Sequence, residues 1–481
     1  MLGLLGGPLL PLWPRANLRR MITLTVDNPY TGEVACSLPL AEEATVRAVL
    51  AAAKAAARVQ RHTSVRDRVA LALSALEIME QRKDAIAADI TKMMGKPLSQ
   101  AKGEVAGMAA RYRHMCEIAE RSLADIELPP KEGMRRRIVR EPLGVVLDLP
   151  AWNYPLLTAV NAVIPALLAG NAVVLKHSPR SPLCGEHFAK AFADAGAPQG
   201  LLQALHCDHQ TSERCVGDPL VDHVLFTGSI FGGHRMQAAA AGKFMHVGLE
   251  LGGNDAAYVA ADSDPLKAAE SLVDGAMYNA GQSCCGIERV YVHKSLYKAF
   301  IEAAEPLVRA YVMGDPMDDK TNMGPIAQPA HPAELEAMVQ DARARGARIV
   351  CGGKPTKVDG RGRFFEPTLI ENGTQDMLLF RQESFGPILP VSVVDSDEEA
   401  LARMNDSELG LTAAVYTSDV ERAERMAREL ETGTVYMNKC DSLDPALPWV
   451  GVKNSGRGAT LSALGYEYLT RPKAINFKLA L

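Results

Sequence analysis

Five short apolar runs, at residues 144–149, 172–175, 201–205, 223–226 and 247–251, are separated by segments long enough to form helices. This alternation constrains the fold more than any other feature of the chain. Short runs without a polar residue at every second position suit strands covered on both faces. A helix between two such strands returns the chain to start a parallel neighbour. Segments 156–168, 182–195, 211–216 and 230–241 read as those crossover helices. The expected product is a doubly wound parallel sheet with its ligand site at the C-terminal ends of the strands. A second α/β run repeats the pattern. Its strands are expected at 256–259, 289–293, 387–394, 413–416 and 434–438, and its helices at 265–279, 295–312, 333–345, 398–404 and 420–430.

Two such runs within 481 residues exceed one hydrophobic core, so more than one domain is expected. Residues 41–120 are Ala-rich with charges at helical spacing, and their charged rows read as solvated faces. Ser122 to Leu128 and Met134 to Arg140 flank Pro129-Pro130-Lys131-Glu132-Gly133 and read as a long hairpin, either a protected edge or an oligomer arm. In residues 1–20 the charges Arg15, Arg19 and Arg20 follow an apolar run, the reverse of a secretory signal. That segment is expected to be a disordered or misassigned extension ahead of Met21. No run reaches membrane-spanning length without charges. A net charge of −5 argues against a nucleic-acid partner. Nine cysteines at irregular spacing do not form a disulfide framework, which points to a reducing, cytoplasmic compartment. His206-Cys207-Asp208-His209 and Cys215 lack the spacing of common zinc ligands, so no metal is expected.

The chemistry concentrates in a few stretches. Asn279-Ala280-Gly281-Gln282-Ser283-Cys284-Cys285 carries two adjacent thiols, and Glu250 stands upstream in Leu249-Glu250-Leu251-Gly252-Gly253. A thiol nucleophile and a carboxylate base suit acyl-enzyme chemistry, although a cysteine pair alone is more often core packing. Asn153, in Trp152-Asn153-Tyr154-Pro155, is placed either to donate to an oxyanion or to cap the next helix. Lys176 ends a strand, where it meets a ribose or phosphate or simply solvent. Phe226-Thr227-Gly228-Ser229-Ile230-Phe231-Gly232-Gly233 turns a strand into a helix, either as a pyrophosphate cradle or as a plain glycine turn. Gln382-Glu383-Ser384-Phe385-Gly386-Pro387 offers a ribose acceptor and an aromatic ring, or else a turn with a core Phe.

Taken in order, these stretches, Gly170-Asn171-Ala172-Val173-Val174-Leu175-Lys176 and Pro448-Trp449-Val450-Gly451-Val452-Lys453-Asn454-Ser455-Gly456 give the chain a resemblance to the aldehyde dehydrogenase superfamily. The resemblance runs from Asn28-Pro29-Tyr30-Thr31-Gly32-Glu33 to the C-terminus. It implies a Rossmann-type NAD(P)-binding domain (21–121 and 144–252), an α/β catalytic domain (253–445) and a small β oligomerisation element (122–143 and 466–481). It also implies a homodimer or homotetramer. Cys284 is then the nucleophile, Cys285 a neighbour and Glu250 the base that activates water. Asn153 and the Cys284 N–H form the oxyanion hole. Trp152, Lys176, Gly228, Ser229, Gly233, Leu251, Glu383 and Phe385 contact NAD or NADP. Tyr154, Leu157, Tyr278, Leu443 and Trp449 line the substrate pocket, and that set favours an uncharged aliphatic or aromatic aldehyde. A semialdehyde such as succinate semialdehyde is the second reading, with Lys439 and Lys453 expected to face elsewhere.

Glu250 argues against a CoA-acylating member, because hydrolysis is what needs a water-activating base. The complete set of Cys284, Glu250, Asn153 and Lys176 argues against a non-catalytic one. Two departures stand out. Pro179 occupies a position where NAD-preferring members often hold Glu, which leaves NAD versus NADP open, with Arg180 a candidate for a 2′-phosphate. Arg457-Gly458-Ala459 stands where many members read Gly-Arg-Glu.

Overall fold

The continuous apolar runs become strands buried on both faces: every residue of Val145–Leu149 and Ala172–Leu175 is buried. The computed structural model describes residues 22–479, so the expected N-terminal extension lies outside the described residues. The first sheet has six strands, in the order Gly456–Arg457, Val247–Glu250, His223–Thr227, Val145–Leu149, Ala172–Leu175, Leu202–Ala204. All neighbours are parallel except Gly456–Arg457, which runs antiparallel to Val247–Glu250. The chain starts at Val145–Leu149, builds one way to Leu202–Ala204, then builds the other way to Val247–Glu250. The strand order therefore switches beside Val145–Leu149, the place where such sheets open a crevice.

The second sheet has seven strands, in the order Arg348–Cys351, Thr368–Glu371, Ile388–Val394, Ile287–His293, Asp255–Val259, Thr412–Tyr416, Thr434–Met437. Only its first pair is antiparallel. Arg348–Cys351, Thr368–Glu371 and the hairpin Pro355–Val358/Arg361–Phe365 were not anticipated from the sequence. They are short, and several carry glycine, proline or charge, which mutes the strand signal.

The expected long hairpin is corrected. Helix Leu98–Leu123 takes the first two residues of its first arm, because the helix's buried stripe continues through Ile118, Ala119 and Ser122. Ile126–Glu127 pairs with Met134–Pro142 on that side, and Lys131 bridges to Met134 at the turn. On the other side Thr470–Lys478 lies antiparallel along the whole of Met134–Pro142.

Apolar side chains gather into two cores. One runs from Val26 to Leu251 and takes in Trp449 and Tyr466 from the C-terminal segment; the other runs from Ala256 to Tyr436. The change from one to the other falls at Gly252-Gly253. Among the described residues no helix is long and apolar enough to cross a membrane.

Candidate active site

Gly252 and Gly253, between the two cores, are glycines because of what approaches them. A side chain at Gly252 would overlap the Glu383 carboxylate, and one at Gly253 would overlap the backbone carbonyl of Cys284. The Gly253 N–H donates to Glu383 Oε1 at 3.0 Å. Two bare α-carbons thus let the segments carrying Glu250, Cys284 and Glu383 converge.

Cys284 follows a left-handed turn. The expected helix to Asn279 stops at Met277 because Asn279, Ala280 and Gly281 take φ of 55°, 55° and 70°. That region costs a non-glycine residue roughly 1–2 kcal/mol. The surrounding bonds fix it nonetheless. Asn279 Nδ2 donates to the carbonyls of Asn153 and Gln282, both at 3.1 Å, and its N–H donates to Gln100 Oε1 at 3.1 Å. The Ala327 N–H donates to Gln282 Oε1 at 2.9 Å. At Gly281 a β-carbon would also overlap the Gly386 carbonyl. Gly281→Ala is therefore expected to cost about 2 kcal/mol or more and to lower both activity and thermal midpoint. A variant matching the parent in differential scanning calorimetry and in turnover would contradict this account of the turn.

A cavity of about 360 Å³ opens beside the turn. Cys284, Glu250, Leu251 and Asn153 line it. So do Tyr154, Leu157, Tyr278, Leu443 and Trp449. Cys284 is half-buried and Cys285 buried. The Cys285 thiol donates to Asp441 Oδ1 at 2.8 Å. Its contact with the Cys284 thiol, together with burial and the nearby Asp441 carboxyl, raises its pKa well above the ordinary thiol value, so it stays protonated. Burial pushes Asp441 up to about 7, against the lowering effect of the Cys285 bond.

Glu250 is gripped by two hydroxyls. Thr227 Oγ1 donates to its Oε2 at 3.3 Å, and Thr460 Oγ1 donates to its Oε1. Burial raises the Glu250 pKa above the usual carboxylate value, while the two hydroxyls and Arg111 pull it back. Asn153 Nδ2 donates to the Gln282 carbonyl at 3.2 Å, which leaves its second N–H to serve a ligand. A half-buried thiol, a carboxylate biased toward proton uptake and an amide donor around one cavity can carry addition to a carbonyl followed by hydrolysis.

The remaining expected residues lie outside this cavity, around the strand ends. Trp152 and Phe385 meet edge to face, with ring centroids 5.6 Å apart. Lys176 is 6% exposed, no hydrogen bond or ion pair holds its ammonium among the described residues, and burial lowers its pKa. Ser229 caps the next helix, accepting from the Gly232 N–H at 3.2 Å. The room left by Gly228 and Gly232 is filled by the Phe226 ring, and Gly233 packs on Leu251. Burial and the neighbouring Glu288 hold Glu383 well above the usual carboxylate range.

Several contributors were not read from the sequence. Glu288 accepts from the N–H groups of Ser384 and Phe385 at 2.9 and 2.7 Å and from Asn254 Nδ2 at 2.9 Å, which shapes the Glu383–Phe385 turn. Two adjacent charged residues, Glu288 and Arg289, inside the strand Ile287–His293 were its signal. Gln100, Gly103, Glu104 and Arg111, expected on a solvated helix face, line the cavity instead. Arg180 is not available to a 2′-phosphate, because Asp27 holds it through its carboxylate and, at 2.7 Å, its carbonyl. Lys453 pairs with Glu431 at 2.6 Å, and Lys439 lies 5.5 Å from the centroid of the Tyr436 ring.

A doubly wound α/β sheet joined to a second α/β core, with a thiol, a carboxylate and an amide around a shared cavity, defines an enzyme class built for covalent chemistry at a carbonyl. The aldehyde dehydrogenase family matches residues 18–475, and the chain belongs to that family. A succinate-semialdehyde dehydrogenase [NADP(+)] of Deinococcus radiodurans is 36% identical over 462 residues, 96% of each chain. A betaine aldehyde dehydrogenase of Agrobacterium fabrum is 34% identical over 449 residues, 93% of this chain and 91% of its own. The structure of 3,6-anhydro-L-galactose dehydrogenase in complex with NAP superposes with a TM-score of 0.91 at 32% identity, covering 95% of this chain and 96% of that one.

Proposed function

We propose that the protein oxidises a small aldehyde to its carboxylic acid with NAD+ or NADP+, through a thioester on Cys284. The observation that carries this reading is the shared cavity of Cys284, Glu250 and Asn153. The Cys284 thiolate attacks the aldehyde carbon, forming a C–S bond and an alkoxide. The free N–H of Asn153 and the Cys284 backbone N–H stabilise that oxyanion. Collapse of the alkoxide re-forms the C=O bond and expels a hydride, leaving a thioester on Cys284; NAD+ or NADP+ held at the strand ends would supply the hydride acceptor. Glu250 then takes a proton from water, the hydroxide adds to the thioester carbonyl, and the C–S bond breaks to release the acid and the Cys284 thiolate.

The strand-end residues suit a dinucleotide. Lys176 is a buried ammonium with no hydrogen-bond or ion-pair partner among the described residues, matched to a phosphate or ribose oxygen. Gly228, Ser229 and Gly233 open a helix, where backbone N–H groups favour pyrophosphate. Glu383 would accept from ribose hydroxyls, and Phe385, Trp152 and Leu251 would pack on the nicotinamide half. The first sheet then serves as cofactor domain and the second as catalytic domain. Thr470–Lys478 with Met134–Pro142 is the element through which two or four copies would assemble.

The test is an aldehyde panel run with NAD+ and with NADP+, without CoA. Acid and reduced cofactor in equal amounts are expected. Turnover that requires CoA would overturn the hydrolytic step.

A further inference from the structure

The cavity wall holds an arginine that the proposed chemistry does not use. Arg111 stands on helix Leu98–Leu123, on the face that also presents Gln100, Gly103 and Glu104 to the cavity. Guanidinium carries five N–H donors. One is spent: Arg111 Nη1 donates to Asn161 Oδ1 at 3.1 Å. Among the described residues no carboxylate forms an ion pair with it.

Every carboxylate in the same wall is already engaged. Glu104 is held by Lys96 and by the Leu156 N–H, the latter at 2.8 Å. Glu250 has Thr227 and Thr460. Asp441 has the Cys285 thiol at 2.8 Å, and Asp274 accepts from the Tyr311 hydroxyl at 3.2 Å. Arg111 thus has spare donors and no ion pair among the described residues, although its charge is felt by Glu250 and Asp441.

Its neighbour is in the same condition. Asn161 is 3% exposed, lines the cavity and among the described residues uses only its side-chain oxygen, so its Nδ2 donors are left for whatever enters. The spare donors of Arg111 and Asn161 face the cavity and are open to an acceptor-bearing ligand that enters it. Lys96 Nζ lies 3.8 Å from the centroid of the Tyr154 ring, so one face of that ring already holds a cation.

We propose that Arg111 and Asn161 clamp the carboxylate of an aldehyde acid whose carbonyl end is offered to Cys284. This rests on the aldehyde oxidation proposed above and narrows its substrate from the uncharged aldehyde the apolar wall suggested. A planar guanidinium takes both carboxylate oxygens at once, which sets orientation as well as affinity. The clamp sits on helices Leu98–Leu123 and Pro155–Leu168, whereas Cys284 sits on the left-handed turn. The length of the aldehyde acid is therefore read as the span between two rigid elements.

The test compares kcat/KM for succinate semialdehyde, its methyl ester and butanal. The parent is expected to prefer the acid over both neutral aldehydes by tenfold or more. In Arg111→Leu the ratio of acid to butanal should fall by about 100-fold, chiefly through KM, as for loss of a charge-assisted pair. Arg111→Lys should recover part of it, and Asn161→Ala should lower the ratio by less. A parent that prefers the ester or butanal, or an Arg111→Leu variant with the parental ratio, overturns the clamp alone. The first comparison needs no variant, so misfolding cannot hide the answer. Absence of reduced cofactor with every aldehyde overturns the reaction and the clamp together.

Discussion

Cys284→Ala is expected to remove aldehyde oxidation, lowering kcat by about 10⁵-fold or more, as for loss of a covalent nucleophile. The neighbouring thiol does not rescue it. Cys285 is buried, bonded to Asp441 and held protonated, whereas Cys284 is half-buried on the cavity wall. Cys285→Ala should accordingly retain turnover within about tenfold, the cost of an altered wall. Steady-state formation of reduced cofactor distinguishes the two. Activity lost equally in both variants would mean the thiols act as one unit, and activity lost only with Cys285 would reverse the assignment.

Glu250→Gln should separate the two halves of the reaction. The amide keeps the shape that Thr227 and Thr460 hold but cannot take a proton from water. Acylation precedes that step, so a burst of reduced cofactor of about one equivalent per active site should survive. Steady-state turnover should fall by about 10²–10⁴-fold, the usual worth of a general base. The pH dependence follows from the sign of the shift. Burial raises the Glu250 pKa, so its basic form is lost on acidification at a higher pH than for an ordinary glutamate. The acid limb of kcat should lie above the usual carboxylate range and be absent from Glu250→Gln. A variant that loses burst and turnover in equal measure would place Glu250 in the first half instead.

How much of this could be read in the chain depends on the physics behind each signal. The strands Val145–Leu149 and Ala172–Leu175 were legible because burial on both faces leaves continuous apolar runs. The stretches at Asn153, Lys176, Gly228 and Glu250 were legible because each ends a strand and is followed by glycine or proline, and those at Cys284 and Glu383 because each precedes a strand. Gly456–Arg457 was not legible, since two residues closing the edge of a sheet from far along the chain leave no local pattern. Asn279 was read as the end of a helix, because left-handed φ at a non-glycine residue is imposed by Asn153, Gln282 and Gln100 through bonds the local pattern does not show. Arg111 was misread for a general reason: charges at helical spacing look alike whether the face meets bulk water or an internal cavity. Only packing against helix Pro155–Leu168 decides which.

The central claim is that Cys284 carries the acyl group and Glu250 removes it. Intact-mass and fragment-ion measurement on acid-quenched Glu250→Gln, after mixing with aldehyde and oxidised cofactor, tests it most directly. The account predicts one acyl group per chain, on Cys284 and not on Cys285, appearing in step with the burst of reduced cofactor. A burst with no adduct, or an adduct on Cys285, would contradict it.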